Sequence, residues 1–138
     1  MIVSELDEDR DGAATTIMVV DDSENIRRSA ESLLSPEGYH VVTAADGFEA
    51  LAGAVEHRPA LIFLDSAMPR LDGYQTCALI KNHELFQSTP VVILTSRDSL
   101  FDRARGRIVG SEAYLMKPFS KADLMEVVEQ TIGRGEAL

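Results

Sequence analysis

Asp21 and Asp22 follow the apolar run TIMVV, Asp65 follows LIFL, Thr95 follows VVIL and Lys117 follows AYLM. Two carboxylates about 4 Å apart repel by about 4 kcal/mol at an effective dielectric near 20, so gathering three of them requires a cation. Magnesium suits such a set: it takes hard oxygen ligands and is usually held by one or two carboxylates plus a phosphate. With its charge shielded, an Asp65 oxygen can attack phosphorus. The transferred group then needs positive charge and hydrogen-bond donors around its equatorial oxygens. Lys117 offers the charge and Thr95 the hydroxyl. Each residue alone has a plainer reading, as a turn, a helix start or a loop cap. Those readings leave the coincidence of all five at strand ends unexplained.

The elements that must position these residues alternate along the chain. Thr16 to Val20 reads as a short buried strand, with Ser23 as N-cap of a helix carrying Ile26, Ala30, Leu33 and Leu34. His40 to Thr43 reads as a second strand, followed by a helix from about Gly47 to Glu56. Leu61 to Leu64 is a third strand, and Asp72 is placed to cap the helix bearing Ala78, Leu79 and Ile80. Val91 to Leu94 is a fourth strand. Asp98 is placed to cap a helix with Phe101, Ala104 and Ile108 on one face, closed by Gly110. Ala113 to Met116 is the fifth strand, and Ser120 with Asp123 forms a capping box before Leu124, Val127, Val128 and Ile132. Five strand–helix pairs predict an α/β fold, a doubly wound parallel sheet with helices on both faces. In such a sheet ligands bind beyond the carboxyl ends of the strands, where all five chemical residues fall.

Composition bounds the function classes. The 138 residues suffice for one domain, with 45% hydrophobic and 26% charged residues, as in a soluble globular protein. No apolar run approaches the roughly 20 residues of a membrane span, and the acidic N-terminus has no signal-peptide pattern. A net charge of −10 argues against nucleic-acid or anionic-lipid binding. Cys77 is the chain's one cysteine, a packing residue suited to a reducing cytoplasm. Residues 1–14 read as an acidic disordered tail, 15–133 as the domain and 134–138 as a short C-terminal tail. The three histidines have no metal-ligand spacing. Arg103, Arg105 and Arg107 read as a solvated helix face, or as a docking surface for an acidic partner.

The segments VVDDS (Val19–Ser23), FLDSAMP (Phe63–Pro69), LDG (Leu71–Gly73), LTS (Leu94–Ser96) and YLMKPF (Tyr114–Phe119) carry a resemblance. Over about residues 15–132 the chain resembles the receiver domain of two-component response regulators, in the stand-alone form of the chemotaxis regulator. Met68 to Lys81 and Arg103 to Ser111 further resemble the regulators of type IV pilus twitching motility. The resemblance implies a flavodoxin-like strand order, 2-1-3-4-5. It implies that Asp65 accepts a phosphoryl group from a sensor histidine kinase or phosphotransfer protein. Asp22, Asp65 and the Ala67 backbone carbonyl would bind Mg2+ (or Mn2+), with Asp21 acting through water. Thr95 and Lys117 would hold the phosphoryl oxygens, Tyr114 would turn inward as the switch, and the Lys117–Pro118 peptide would be cis. Signalling would pass to a separate output protein through the fourth helix, fifth strand and fifth helix, since no residues remain for an output domain. Ala67 and Arg97, two residues after Asp65 and Thr95, would set the lifetime of the phosphorylated state. Two rival readings are a magnesium-dependent phosphohydrolase, which wants an acid where Ala67 stands, and a scaffold that never uses the site.

Overall fold

The computed structural model describes residues 14–96 and 100–133, with the backbone alone at position 100. The segments 1–13 and 134–138, together with Arg97, expected to tune lifetime, and the expected cap Asp98, lie outside the described residues. The elements run β1 (Thr16–Val20), α1 (Glu24–Leu34), β2 (His40–Ala44), α2 (Gly47–His57), β3 (Leu61–Asp65), α3 (Gly73–Lys81), β4 (Val91–Thr95), α4 (Leu100–Val109), β5 (Ala113–Met116) and α5 (Lys121–Ile132). A 3-10 turn at Ser35–Glu37 follows α1.

Local chemistry sets the helix starts. The Ser23 hydroxyl accepts from the Ile26 amide, the Asp46 carboxylate from Glu49, and Asp72 and Ser120 each complete a capping box. All the strand pairings are parallel, in the order β2-β1-β3-β4-β5, which is the expected 2-1-3-4-5. Their burial follows from that order. The central strands β3 and β4 are buried at every position, whereas the edge strands β2 and β5 are partly exposed. Alternate residues of the central strands feed two cores. Met18, Val20, Ile62, Leu64 and Ile93 pack toward α2 and α3, while Ile17, Val19, Phe63, Val92 and Leu94 pack toward α1 and α5.

Strand ends differ from the sequence reading by one residue. Ala44, Asp65 and Thr95 belong to their strands because the ladder continues through them, pairing Val20 with Ala44, Asp65 with Leu94 and Thr95 with Met116. α4 differs more. The expected apolar face is not a buried face: Phe101 is 72% and Ile108 83% exposed. At about 100° per residue, Gly106 lies roughly opposite both of them, and among the described residues of α4 it is Gly106 that is buried. Cys77 is fully buried on α3, where its Sγ donates weakly to the Val109 carbonyl of α4 at 3.6 Å. Burial pushes its thiol pKa up to about 11.

Candidate functional site

The ladder delivers the charged residues to one rim. The Asp21 amide donates to Ala44 O at 3.1 Å, Ser66 N to Leu94 O at 2.9 Å and Lys117 N to Thr95 O at 2.8 Å, extending the sheet pattern past the last apolar residues. Asp21, Asp22 and Asp65 thereby place one carboxylate oxygen each within 4.8 Å of one another. Lys117 Nζ sits between two of them, 3.0 Å from Asp21 Oδ2 and 3.0 Å from Asp65 Oδ1. The Ser23 amide donates to Asp21 Oδ1 at 2.9 Å, and the Arg27 guanidinium donates to the Asp21 carbonyl at 2.7 Å. The Ala67 amide donates to Asp65 Oδ1 at 3.4 Å.

Burial makes the charges costly. Asp21, Asp65 and Thr95 are almost wholly buried, whereas Asp22 is exposed. Burial raises the Asp65 carboxyl to about 6; the Lys117 hydrogen bond opposes this and the neighbouring Asp21 charge adds to it. The two carboxylates hold Lys117 above its ordinary value even though burial works the other way. One ammonium among three carboxylates leaves an excess of negative charge at this rim. All of the ligands are hard oxygens, so the donor set fits a divalent cation such as Mg2+.

A cleft of about 700 Å³ opens beside the cluster, lined by Asp22, Ser66, Ala67, Met68, Thr95, Phe101 and Arg105, among others. Ala67 and Thr95 both border this cleft beside the carboxylate cluster. The Lys117–Pro118 peptide is cis, as expected. Tyr114 stands away from the acids, with its hydroxyl 3.3 Å from that of Tyr74. None of the histidines joins the carboxylate cluster. The three arginines of α4 divide: Arg105 pairs with Asp72 at 3.4 Å and lies over the Tyr74 ring, Arg103 lies over the Tyr114 ring, and Arg107 is exposed.

Gly73 belongs to the site although nothing in its own chemistry says so. A Cβ there would collide with the Asp65 carbonyl oxygen and press on Ser66, so only glycine lets α3 begin against the end of β3. Its amide donates to the Ser66 carbonyl at 3.1 Å. The Asp-Gly pair at 72–73 carries the signal: it lies in one of the segments of the family resemblance, where Asp72 caps α3, but local pattern assigns Gly73 no contact with Asp65.

Comparison with known proteins agrees with this geometry. The family model described as "Response regulator receiver domain" matches residues 17–129. Protein PilG of Pseudomonas aeruginosa is 59% identical over 113 residues, covering 82% of this chain and 84% of that protein. The chain spans about half the length of other relatives, for example 49% of a transcriptional regulatory protein of Bacillus subtilis. The solved structure of the Vibrio cholerae chemotaxis protein CheY4 superposes with a TM-score of 0.84 at 34% identity, covering 86% of this chain and 99% of that one. The receiver domain of the P. aeruginosa sensor histidine kinase PA1611, solved with a magnesium ion coordinated in its active-site cleft, gives a TM-score of 0.80 at 32% identity, covering 88% and 99%.

Proposed function

The chain belongs to the response regulator receiver family, the phospho-acceptor domain of two-component signalling, and from that premise we propose that Asp65 is its phosphoryl acceptor. The observation that carries this reading is Lys117 Nζ held between Asp21 and Asp65 at 3.0 Å, with Asp22 completing the acid cluster. Asp22, Asp65 and the Ala67 carbonyl would hold Mg2+ (or Mn2+), with Asp21 reaching it through water. The ion, when bound, supplies charge neutralisation for phosphoryl transfer.

The residues of the chain do the rest. Lys117 and the Ala67 amide both engage Oδ1 of Asp65, which leaves Oδ2 as the attacking oxygen. As the new O–P bond forms, the N–P bond of the donor phosphohistidine breaks, and its electron pair returns to the imidazole nitrogen. Lys117 and the Thr95 hydroxyl then hold the phosphoryl oxygens. Tyr114 carries the change to the face of α4, β5 and α5, where a separate output protein binds. The resemblance to twitching-motility regulators and the likeness to a chemotaxis protein support a place in type IV pilus or chemotaxis-like motility control in the cytoplasm, and the net charge of −10 argues against nucleic acid or an anionic membrane as a partner.

Incubation with Mg2+ and acetyl phosphate, followed by intact mass, tests the reading. Wild type gains one phosphoryl group and Asp65→Asn gains none; labelling of the variant at the wild-type rate would overturn the assignment. Saturating Mg2+ raises the wild-type Tm by mass action. Ala67, without a polar group, cannot orient water toward the acyl phosphate. For Arg97 the reading rests on sequence position alone, two residues after Thr95, and on the ability of a guanidinium to pair with phosphoryl oxygens. Ala67→Asn or Arg97→Glu should therefore shorten the lifetime of the phosphorylated state, and unchanged decay in both would remove that role from these positions.

A further inference from the structure

Tyr74 follows Gly73, the residue pressed against the Asp65 carbonyl, and its side chain is almost wholly buried. Its hydroxyl lies 3.3 Å from the Asp102 carbonyl of α4 and 3.3 Å from the Tyr114 hydroxyl of β5. A phenol has one proton to give. With that proton on Asp102, Tyr74 accepts from Tyr114. The Arg105 guanidinium lies 4.3 Å from the centre of the Tyr74 ring and pairs with Asp72, the cap of α3. One side chain therefore connects the start of α3 with α4 and β5. The Tyr114 hydroxyl end in turn occupies space that exists because residue 106 is glycine: a Cβ there would stand 2.7 Å from the hydroxyl oxygen and 2.8 Å from the ring edge.

We propose that Tyr74 is a positioning residue for Tyr114, its hydroxyl holding the Tyr114 ring turned into the seam between α3 and α4 over Gly106. This rests on the reading of Tyr114 as the switch residue. It adds a second line from the acceptor to the output face, running through Asp65, Gly73 and Tyr74 rather than through Thr95. Asp65 and the start of α3 are in contact through Gly73, so a shift of the acceptor loop moves Tyr74 as well. A hydrogen bond 3.3 Å long has room to shorten, so a shift that closes it favours the inward Tyr114 of the charged state. The bond biases two Tyr114 positions rather than creating either one, so its effect is a population ratio.

Tyr74→Phe removes the hydroxyl and keeps the ring. In protein with 13C-labelled tyrosine rings, a soluble paramagnetic agent reports the exposure of Tyr114 by NMR without any phosphoryl donor. The exposed population of Tyr114 should rise about three- to tenfold in Tyr74→Phe, the factor expected for one neutral hydrogen bond, while Tyr39 stays unchanged. The affinity for beryllofluoride with Mg2+, a phosphoryl mimic, should fall by a similar factor. In a Tyr114→Phe background, Tyr74→Phe should have no further effect on that affinity, which a merely structural role would not produce. Unchanged Tyr114 exposure, or the same loss of affinity with and without the Tyr114 hydroxyl, would overturn the proposal. If wild type binds no beryllofluoride, the phospho-acceptor reading fails, and the ring exposure still decides the role of Tyr74.

Discussion

α3 and α4 are consecutive helices of similar length on the same face of the sheet, and they are anchored in different ways. α3 begins with a complete capping box and buries Gly73, Tyr74, Thr76, Cys77 and Ile80. Among the described residues 101–109, α4 buries only Gly106, and turns Phe101 and Ile108 to solvent. What holds α4 is largely polar or aromatic: the Tyr74 hydroxyl on its Asp102 carbonyl, Arg105 on Asp72 and over the Tyr74 ring, Arg103 over the Tyr114 ring. Such contacts are each worth about 1 kcal/mol or less, whereas a buried Ile contributes roughly 1.5–3 kcal/mol. The helix that starts against Asp65 is therefore fixed by the core, and the helix beside Tyr114 is held by contacts that can be exchanged. A signalling domain needs both, a rigid mount for the chemistry and an element of low local stability to report it.

The contrast can be broken at its strongest point by Gly73→Ala. The added methyl meets backbone that cannot move without displacing Asp65, so a loss of about 3 kcal/mol or more is expected in urea unfolding. A well-folded variant would mean that α3 is not fixed at its start. Next in size is a matched pair. Ile80→Ala should cost about 2–4 kcal/mol and Ile108→Ala no more than about 0.5 kcal/mol; equal costs would abolish the distinction between the helices.

A smaller effect comes from pH at the fixed end. With Asp65 raised to about 6 in the folded metal-free protein, folding favours its protonated form. That contribution is complete below about pH 4 and is lost as pH rises to about 6. In chelator, the Tm of wild type should therefore fall relative to that of Asp65→Asn across this window; a constant difference would show that burial does not penalise the charge. The smallest effect is expected for Gly106→Ala. Its methyl meets the movable end of Tyr114, and the gain of about 1 kcal/mol in helix propensity offsets that contact. Stability should change by less than about 1 kcal/mol while the Tyr114 ring signal shifts, and a loss as large as that of Gly73→Ala would show that the seam is not adaptable.

Much of this was legible in the sequence for local reasons. Asp21, Asp22, Asp65 and Lys117 announce themselves because polarity changes abruptly at the end of an apolar run, and Ser23, Asp72 and Ser120 because a cap bonds within three residues. The strand order came from the family resemblance rather than from periodicity, which gives strands but not neighbours. Tyr74 with Tyr114, and Arg105 with Asp72, are pairs 40 and 33 residues apart, and no local pattern joins them. Phe101, Ala104 and Ile108 were placed on one face because spacing shows which apolar residues share a side of a helix. It does not show what that side faces.

Cys77 makes the seam between α3 and α4 measurable from inside. It is the chain's one cysteine, wholly enclosed, with its sulfur against Val109 of α4 and its thiol held up to about 11. Alkylating reagents need the thiolate and need access, and the closed seam denies both. Labelling therefore proceeds through opening, and where reclosing is fast its rate reports the open fraction. This buried thiol thus becomes a clock for how often α4 leaves its place, readable by mass alone before and after a phosphoryl donor is added.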